Sequence, residues 1–594
     1  MKTFKQNLTA LATLLLIGAS CSEVAPPEKL EPTPTKHQQA WQELEYYMFV
    51  HYGPNTFTNV EWGDGSEDPK VFNPTHLDTD QWASVAKAAG MKGIIITAKH
   101  HDGFCLWPSK YSTHTVRESS WKDGKGDLLK ELSESCKKHG LLFGVYLSPW
   151  DRNHPAYGTS EYNQIFANTL DEVLSGYGHV FEQWFDGATD GTSKQVYDWD
   201  LYHETVYNHQ PHAIIFSDIG PGCRWMGNER GYMGETNWSK MDVEGFTPGH
   251  GAPNATILNE GQANGAKWIP AEVDVSIRSG WFYSPETDDK VKSAERLMDI
   301  YYSSVGRNAN LLLNVPPDRR GRIHPTDSAR LMEFKELRDI SFANNLAKGA
   351  TIIADNVRGN SKAYAPANLL DGNKNSYWTT DDGITSAAIE VTLNGEKTFN
   401  RILLQEYIPL GQRISKFNIK VWNQQTQEWD EVKQATTVGY KRILRIPLVT
   451  TSKIRIEIAE SLSVPVLCNL EIFNSPEIPS FDTGKFEKKA LGKEEAIVVS
   501  LSKETTLTGF SFIPYPSERV STVQRYDFYI STDGKQWEKV ISNGIFNNIK
   551  NNPIQQDVRF EKNIKASYIK LQPTQLTGDA KEYVYSSLKA LIAD

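Results

Sequence analysis

The sequence is poor in cysteine and in clustered positive charge. Its 594 residues include five cysteines, and no two of them form a C-x-x-C pair. Four are widely spaced (Cys105, Cys136, Cys223 and Cys468), which argues against both a disulfide framework and a structural zinc site. The net charge is -10, without a long run of lysine or arginine. The chain therefore lacks the electrostatic footprint of a protein that binds nucleic acid or an anionic membrane.

Long apolar runs are also scarce, and the N-terminal one, Leu11 to Ile17, is too short for a permanent membrane span. It follows Lys2 and Lys5 and precedes three small residues, an arrangement typical of an export signal. Cys21 comes next, as in a bacterial lipoprotein signal, in which this cysteine is acylated; ordinary cleavage is the alternative. We expect a lipoprotein of the bacterial cell envelope, either periplasmic or on the cell surface, that contacts the membrane only through this anchor.

The pattern of the chain predicts several domains. Residues 1–21 form the signal, and residues 22–38, rich in proline and charge, form a linker. From residue 39 to 345 strand-like runs alternate with helix-like stretches, and six such βα steps favour a (β/α)8-type barrel with some degenerate steps. The clearest predicted strands are residues 46–52, 93–99, 141–148, 179–186, 213–219 and 308–315. The predicted helices are residues 79–89, 127–139, 160–175 and 200–208.

Beyond residue 345 short β-type runs separated by turns replace the helical pattern. We divide this part into residues 346–476 and 477–594. The first unit has Asp371-Gly372 followed by Trp378, and the second has a strand and turn that end at Trp537. Both resemble discoidin-type β-sandwiches, the fold of many carbohydrate-binding modules. No set of Ca²⁺ ligands is specified in the sandwich loops, so we expect no cofactor, and neither unit shows a nameable sugar site.

Polar side chains gather where the predicted barrel strands end. Glu182-Gln183-Trp184-Phe185-Asp186-Gly187 places a carboxylate directly after two aromatic residues at the end of an apolar run. His51 lies at the end of the first predicted strand, His100 and His101 at the end of the second, and Tyr146 near the end of the third. In a parallel barrel these ends converge on one rim, where catalytic groups lie. A carboxylate at the position of Asp186 can act as a nucleophile that attacks a sugar.

A metal centre is the competing interpretation of three histidines. Zinc and iron sites need three or four ligands in a fixed geometry. His100 and His101 are adjacent and would point in different directions on a strand, and the chain has no H-E-x-x-H motif. We therefore expect no metal, and interpret the histidines as neutral imidazoles that donate hydrogen bonds to the hydroxyl groups of a polar ligand.

Five motifs in order resemble those of glycoside hydrolase family 29, the retaining α-L-fucosidases. They are Phe49-Val50-His51-Tyr52-Gly53, Glu61-Trp62-Gly63, Ala98-Lys99-His100-His101-Asp102-Gly103-Phe104, Trp184-Phe185-Asp186-Gly187 and Trp281-Phe282-Tyr283. The resemblance covers about residues 42–340 and implies that Asp186 is the nucleophile. It further implies a fucose pocket lined by His51, Glu61, Trp62, His100, His101, Tyr146 and Trp184, with Trp62 and Trp281 on the apolar side of the sugar.

The second catalytic carboxyl has several candidates. Glu229, in Arg224-Trp225-Met226-Gly227-Asn228-Glu229, matches the acid/base position of a subfamily that cleaves α1,3- and α1,4-linked fucose from branched, Lewis-type glycans. Glu272 and Glu235 are alternatives. Glu272 and Arg278 lie in a segment also typical of this subfamily, and are expected either to line the pocket or to form an ion pair that shapes it. A barrel that only binds glycans and a retaining glycosidase for another sugar are the alternative functions; the oligomeric state is not predictable.

Overall fold

The computed structural model describes residues 24–189, 195–479, 481, 486–517, 520–546 and 548–592. The predicted signal segment with Cys21 lies outside these residues. Separate apolar cores lie between the barrel strands and the helices, inside the barrel, and in each of the two units that follow it. None of the helices in the described ranges is both long and apolar enough to cross a membrane.

Eight parallel strands close into a barrel, so the expected fold is confirmed. In chain order they are Tyr46–Val50, Gly93–Lys99, Leu142–Leu147, Val180–Trp184, Ile214–Ser217, Cys223–Trp225, Ala271–Ser276 and Ala309–Asn314. Each strand pairs with the next in the chain, and the last pairs with the first. Their side chains are buried on both faces, which explains why most of them read as continuous apolar runs.

Two of the eight strands were not among those predicted. Cys223–Trp225 has only three residues, too few to give a periodic signal. Ala271–Ser276 alternates, because Ala271, Val273 and Val275 pack into the outer core while Glu272 and Asp274 lie between them on the inner face. Acidic residues inside a barrel do not resemble a buried strand in sequence.

Helices cover the outside of the barrel. The longer ones are Thr79–Ala88, Leu128–His139, Glu161–Gly176, Trp199–His209, Ala294–Ser303 and Pro325–Ser341, and the shorter ones are Lys36–Gln42, Pro54–Thr58 and Ala255–Glu260. The four predicted helices match within one residue at each end. Asp78 and Asp127 explain two of the starts, since each side chain accepts a hydrogen bond from the backbone three residues later.

Two antiparallel sheet units follow the barrel. The first contains Thr351–Ala354, Trp378–Thr379, Ala387–Glu406, Ile414–Asn423, Glu428–Ala435, Arg442–Ser461 and Val466–Phe473. The second contains Lys489–Gly492, Ile497–Pro514, Val523–Ser531, Glu538–Ile545, Gln556–Leu576 and Glu582–Ile592. The longest strands carry register shifts along their ladders, which lets each sheet bend around its own core.

Asn308 joins the barrel to the first sheet unit. Its backbone lies in the left-handed region with φ 61°, and its side chain is 2% exposed. The side-chain oxygen accepts from the backbone of Tyr440 at 2.7 Å, and the side-chain amide donates to Ser239 Oγ at 3.0 Å. Its own N–H donates to the carbonyl of Lys441 at 2.9 Å. One asparagine thus satisfies polar groups of both units.

We expect Asn308→Ala to destabilise the protein by about 2–4 kcal/mol, through left-handed strain and the unpaired buried N–H of Tyr440. Scanning calorimetry should show a lower unfolding temperature. Asn308→Gly is the control, because glycine tolerates this backbone conformation. It should relieve the strain but not restore the hydrogen bonds, so its loss of stability should be smaller. Wild-type unfolding temperatures in both variants would contradict this role of Asn308.

Candidate active site

A cavity opens at the carboxyl ends of the barrel strands. Its lining residues are Phe49, His51, Trp62, His100, His101, Trp184, Asp186, Ala188, Glu229, Asp274, Trp281, Asn548 and Asn551. Eight of the residues predicted from the sequence are therefore brought together: His51, Trp62, His100, His101, Trp184, Asp186, Glu229 and Trp281. Glu61 and Tyr146 lie directly behind this lining and hydrogen-bond to members of it.

Asp186 lies just beyond the fourth strand, and its side chain is 23% exposed toward the cavity. The hydroxyl of Tyr146 donates to Oδ2 at 2.9 Å, and the backbone N–H of Ala188 donates to Oδ1 at 2.7 Å. His101 Nε2 lies 3.7 Å from Oδ2. Burial raises the pKa of Asp186, while the two donors stabilise its carboxylate and oppose that shift. The carboxylate is thus held in one orientation with an edge free to react.

Gly187 is required by the close approach of Asp218. A Cβ atom at position 187 would lie 2.3 Å from Asp218 Oδ2. Asp218 is itself fixed, because it accepts a hydrogen bond from the N–H of Gly249 at 2.7 Å. Burial raises the pKa of Asp218 to about 6. Any side chain at position 187 would displace either Asp218 or the neighbouring Asp186.

His51 is held in one tautomer by Asn314, the last residue of the eighth strand. Asn314 Nδ2 donates to Ser276 Oγ and to the carbonyl of Trp281, so Oδ1 must be the acceptor on its other side. That oxygen lies 2.9 Å from His51 Nδ1 and also accepts the backbone N–H of His51. Burial lowers the pKa of His51 to about 3, so the ring is neutral with its proton on Nδ1. Its Nε2 is left as a hydrogen-bond acceptor, so the expectation that this histidine donates to a ligand hydroxyl is wrong for His51.

His100 and His101 are also neutral. Burial lowers the pKa of each well below the usual value, and neighbouring positive charge, including that of Lys99, adds to the effect. His101 Nδ1 lies 2.8 Å from Ser148 Oγ, and Trp62 packs edge-on against its ring at 5.4 Å between centroids. The expectation of neutral imidazoles agrees with this burial.

Glu229 faces the same cavity from the loop after the sixth strand. Trp281 Nε1 donates to Oε2 at 2.8 Å, and Asn548 Nδ2 donates to the same oxygen at 2.5 Å. Burial raises the pKa of Glu229 to about 8, and the charges of Asp186 and Glu61 add to this shift. Glu229 is therefore protonated at neutral pH. Glu61 supports Trp281 from behind, since it accepts the backbone N–H of Trp281 at 2.5 Å.

Glu272 lies deeper in the barrel than the cavity lining. Trp184 Nε1 donates to Oε1 at 2.9 Å, and the hydroxyl of Tyr47 donates to Oε2. Three atoms lie within 4.8 Å of one another here: a carboxylate oxygen of Glu272, a carboxylate oxygen of Glu182 and Sγ of Cys223. Trp41 Nε1 donates to Glu182 Oε2 at 2.8 Å. Burial, and then the Glu272 charge, raise the pKa of Glu182 well above its usual value, so this carboxyl holds a proton that it shares with Glu272.

Arg278 and Glu235 lie apart from the cavity, contrary to the expectations for them. The guanidinium of Arg278 binds Asp327 at 2.9 Å and Asp288 at 2.8 Å, so it forms no ion pair with Glu272 and is committed to an outer network. Glu235 pairs with Arg307 and Arg442 near the first sheet unit, and its side chain is 57% exposed.

Several residues of the site were not singled out in the sequence. Asn314 and Asp274 follow the period-two pattern of inward-facing barrel residues. The predicted strand 308–315 already carried this signal for Asn314, whereas Asp274 lies on a strand that was not predicted. Asp274 accepts from Trp225 Nε1 at 3.0 Å, and burial raises its pKa well above the usual value. Asn548 and Asn551 come from the second sheet unit, and no local pattern places them at the barrel.

The pattern of the family described as Alpha-L-fucosidase matches residues 24–337, more than half of the chain. This chain belongs to the α-L-fucosidase family. The F5/8 type C domain, which is the discoidin-like sandwich, matches residues 352–467 and 480–586 of the fucosidase. The family resemblance seen in the sequence, the glycoside hydrolase class and the two discoidin-like units are thereby confirmed.

Individual relatives agree with this family membership. Alpha-L-fucosidase 1 of Arabidopsis thaliana is 39% identical over 469 residues, which are 78% of this chain and 92% of the plant protein. A family 29 glycoside hydrolase from an unknown rumen bacterium has a TM-score of 0.68 and 36% identity, covering 96% of this chain and all of its own. A family 29 fucosidase from Ruminococcus gnavus, solved in complex with fucose, has a TM-score of 0.71 and 33% identity over 77% of this chain and 97% of its own.

We expect Glu182→Gln to make the fucosidase relatively more stable as the pH rises. The folded-state pKa of Glu182 is raised, so its contribution to the free energy of unfolding is complete below the unfolded-state pKa of about 4.3. Above that pH the contribution declines by up to about 1.4 kcal/mol per pH unit. Glutamine mimics the protonated carboxyl and does not titrate. Unfolding temperatures measured from pH 5 to pH 8 should therefore show a growing advantage of the variant over the wild type.

Glu235→Gln is the matched control for that experiment. Burial opposes the shift, but the guanidinium groups of Arg307 and Arg442 hold the pKa of Glu235 below its usual value. Its contribution to stability is complete above the unfolded pKa of about 4.3 and disappears only in stronger acid, so from pH 5 to pH 8 this variant should be less stable than the wild type by a constant amount. Parallel curves for wild type and Glu182→Gln would contradict the shared proton.

Proposed function

We propose that this fucosidase is an exo-acting, retaining enzyme that releases α1,3- and α1,4-linked L-fucose from branched, Lewis-type glycans in two displacement steps. The observation that carries the proposal is the pair of carboxyls that open into one cavity in different environments. Asp186 is 23% exposed and accepts two hydrogen bonds that favour its carboxylate, whereas at Glu229 burial outweighs two N–H donors and keeps the carboxyl protonated at neutral pH. Retention needs one ionised and one protonated carboxyl at the same glycosidic bond.

In the first step the Asp186 carboxylate attacks the anomeric carbon of fucose. The bond from that carbon to the glycosidic oxygen breaks, and the departing oxygen takes the proton of Glu229. In the second step the Glu229 carboxylate removes a proton from water, which attacks the same carbon. The bond to Asp186 breaks, fucose leaves, and Glu229 is protonated again.

The neutral histidines suit a sugar as ligand. His51 presents an acceptor nitrogen, and His100 and His101 surround the Asp186 side of the cavity without adding positive charge. Trp62 and Trp281 supply ring faces against the apolar C–H groups and the methyl group of a 6-deoxy sugar. We assign Glu61 and Tyr146 to support Trp281 and Asp186 respectively.

Glu229 is favoured as acid/base over both alternatives. Glu272 is fully buried and engaged by Tyr47 and Trp184, so it has no open path to a glycosidic oxygen. Glu235 is held ionised by two arginines, which makes it a poor acid. The linkage preference is supported by the Arg224-Trp225-x-Gly-Asn-Glu229 sequence.

Two other functions would leave different marks. A barrel that only binds glycans has no need of paired carboxyls, yet Asp186 and Glu229 both face the cavity. A retaining enzyme for another sugar would use the same pair, and the substrates below distinguish it.

We expect Asp186→Asn to fold normally and to lose more than about 99% of turnover, since the amide cannot attack the anomeric carbon. Free L-fucose should be measured after incubation with a branched Lewis-type oligosaccharide, a linear α1,2-fucosylated one and an aryl fucoside. The wild type should release fucose mainly from the branched glycan. Release from the linear glycan alone would overturn the linkage, and release from none would overturn the reaction.

We expect azide to restore turnover to Glu229→Ala on an aryl fucoside with an activated leaving group. Such a substrate forms the intermediate without acid, and azide then replaces the water that Glu229 would activate, giving the α-configured fucosyl azide. In the wild type kcat/KM should fall above about pH 8, and this limb should vanish in the variant. Rescue of Glu272→Ala instead would assign the acid/base role to Glu272.

A further inference from the structure

The second sheet unit contributes side chains to the cavity of the barrel. Asn548 and Asn551 lie in the loop between the strands Glu538–Ile545 and Gln556–Leu576, and both line the cavity. Asn548 Nδ2 lies 2.5 Å from Glu229 Oε2. The backbone N–H of Glu229 also donates to the carbonyl of Asn551 at 3.1 Å. The loop therefore binds both the side chain and the backbone of Glu229.

This loop is built on the core of its own unit. Phe546 and Ile549, on either side of Asn548, are each 1% exposed in the apolar core. Phe546 stacks on Tyr526 at 4.4 Å between ring centroids. The N–H of Asn552 donates to the carbonyl of Asn548 at 2.9 Å, which closes the turn. The position of Asn548 is therefore set by packing within the second unit.

Further contacts hold the second unit against the barrel near Glu229. Arg230 donates to the carbonyl of Pro516 at 2.9 Å, and Lys290 lies 3.5 Å from Asp557. Arg296 donates to the carbonyl of Phe481 at 3.3 Å. The loop is thus attached on more than one side, as a positioning element must be.

The hydrogen bonds around Glu229 determine which of its oxygens carries the proton. Trp281 Nε1 and Asn548 Nδ2 both donate to Oε2. An oxygen that accepts two N–H groups is the carbonyl-type oxygen of a protonated carboxyl, so the proton lies on Oε1. Without Asn548, Trp281 alone would select between the two oxygens, and the acid would be less well oriented.

We propose that Asn548 is a positioning residue for the acid/base Glu229, and that the loop Asn548–Asn552 forms the leaving-group side of the active site. This inference rests on the proposed function. The acid protonates the departing oxygen, so side chains that surround Glu229 also face the departing glycan. Asn551 and the exposed Lys550 of the same loop supply polar groups suited to the hydroxyls of that glycan.

The test compares Asn548→Gly with Asn543→Gly in the full-length protein. Both asparagines have left-handed backbones, with φ 57° and 53°, so glycine removes each side chain without introducing strain. Asn543 is exposed on the strand Glu538–Ile545 and lies outside the cavity lining. Two substrates are compared. In α-L-fucosyl fluoride the fluoride departs without help from an acid, whereas in an unactivated fucosyl oligosaccharide the departing oxygen must be protonated.

We expect Asn548→Gly to lose about 10- to 100-fold in kcat/KM on the oligosaccharide and less than about 3-fold on the fluoride, given the usual contribution of a general acid. The donated hydrogen bond stabilises the Glu229 carboxylate, so its loss should also move the alkaline limb to higher pH. Asn543→Gly should match the wild type in both respects. The ionisable groups around the cavity that Glu229 faces are Asp186, Glu61, Asp274, His51, His100 and His101. Asp218 interacts with Asp186, and Lys550 interacts with Asp218.

Equal losses on both substrates, with the alkaline limb unmoved, would show that the loop has only a structural role and would overturn the proposal. No loss on either substrate would overturn it as well. Should Asn548→Gly fold poorly, Asn548→Asp keeps the side-chain shape but replaces the donor by a carboxyl, and should move the alkaline limb further upward. A wild type inactive even on the fluoride would instead overturn the proposed function. The two failures are therefore distinguishable.

Discussion

Closure of the barrel, through the pairing of Tyr46–Val50 with Ala309–Asn314, is the constraint on which the active site depends. All eight strands are parallel, so their carboxyl ends lie at one rim, and residues far apart in the chain meet there. The closure also places Asn314 beside His51, where one side chain sets the tautomer of the histidine and supports Trp281. An open sheet would leave its first and last strands at opposite edges.

The closed barrel also excludes water, and this burial shifts the pKa values of the carboxyl and imidazole groups inside it. A carboxyl group that is ionised in water at neutral pH can keep its proton when it is buried, because burial raises its pKa, as it does for Glu229. The same effect keeps His51 neutral and maintains a shared proton between Glu182 and Glu272 beneath the cavity. Hydrogen bonds oppose this shift at both catalytic carboxyls: Asp186 receives a backbone N–H and a hydroxyl, and Glu229 receives two side-chain N–H groups.

The sheet units are part of the catalytic architecture. The first is joined to the barrel through Asn308, whose left-handed backbone allows one side chain to bind both units. The second reaches the cavity and donates a hydrogen bond to Glu229. A site shared between units depends on their relative position, so contacts remote from the sugar, such as that between Arg230 and Pro516, bear on the orientation of the acid.

The sequence by itself determined the barrel, the two sheet units, the family and the residues at the strand ends, because apolar runs, helix caps and short motifs are local signals. Asp186, His51, His100 and His101 were found in this way. Only the tertiary structure decided that Arg278 pairs with Asp327, that Glu272 lies beneath the cavity, and that Asn548 reaches Glu229 from more than 300 residues away. Such pairings depend on distances between elements and on the burial they create, and neither quantity is encoded in any short stretch of chain.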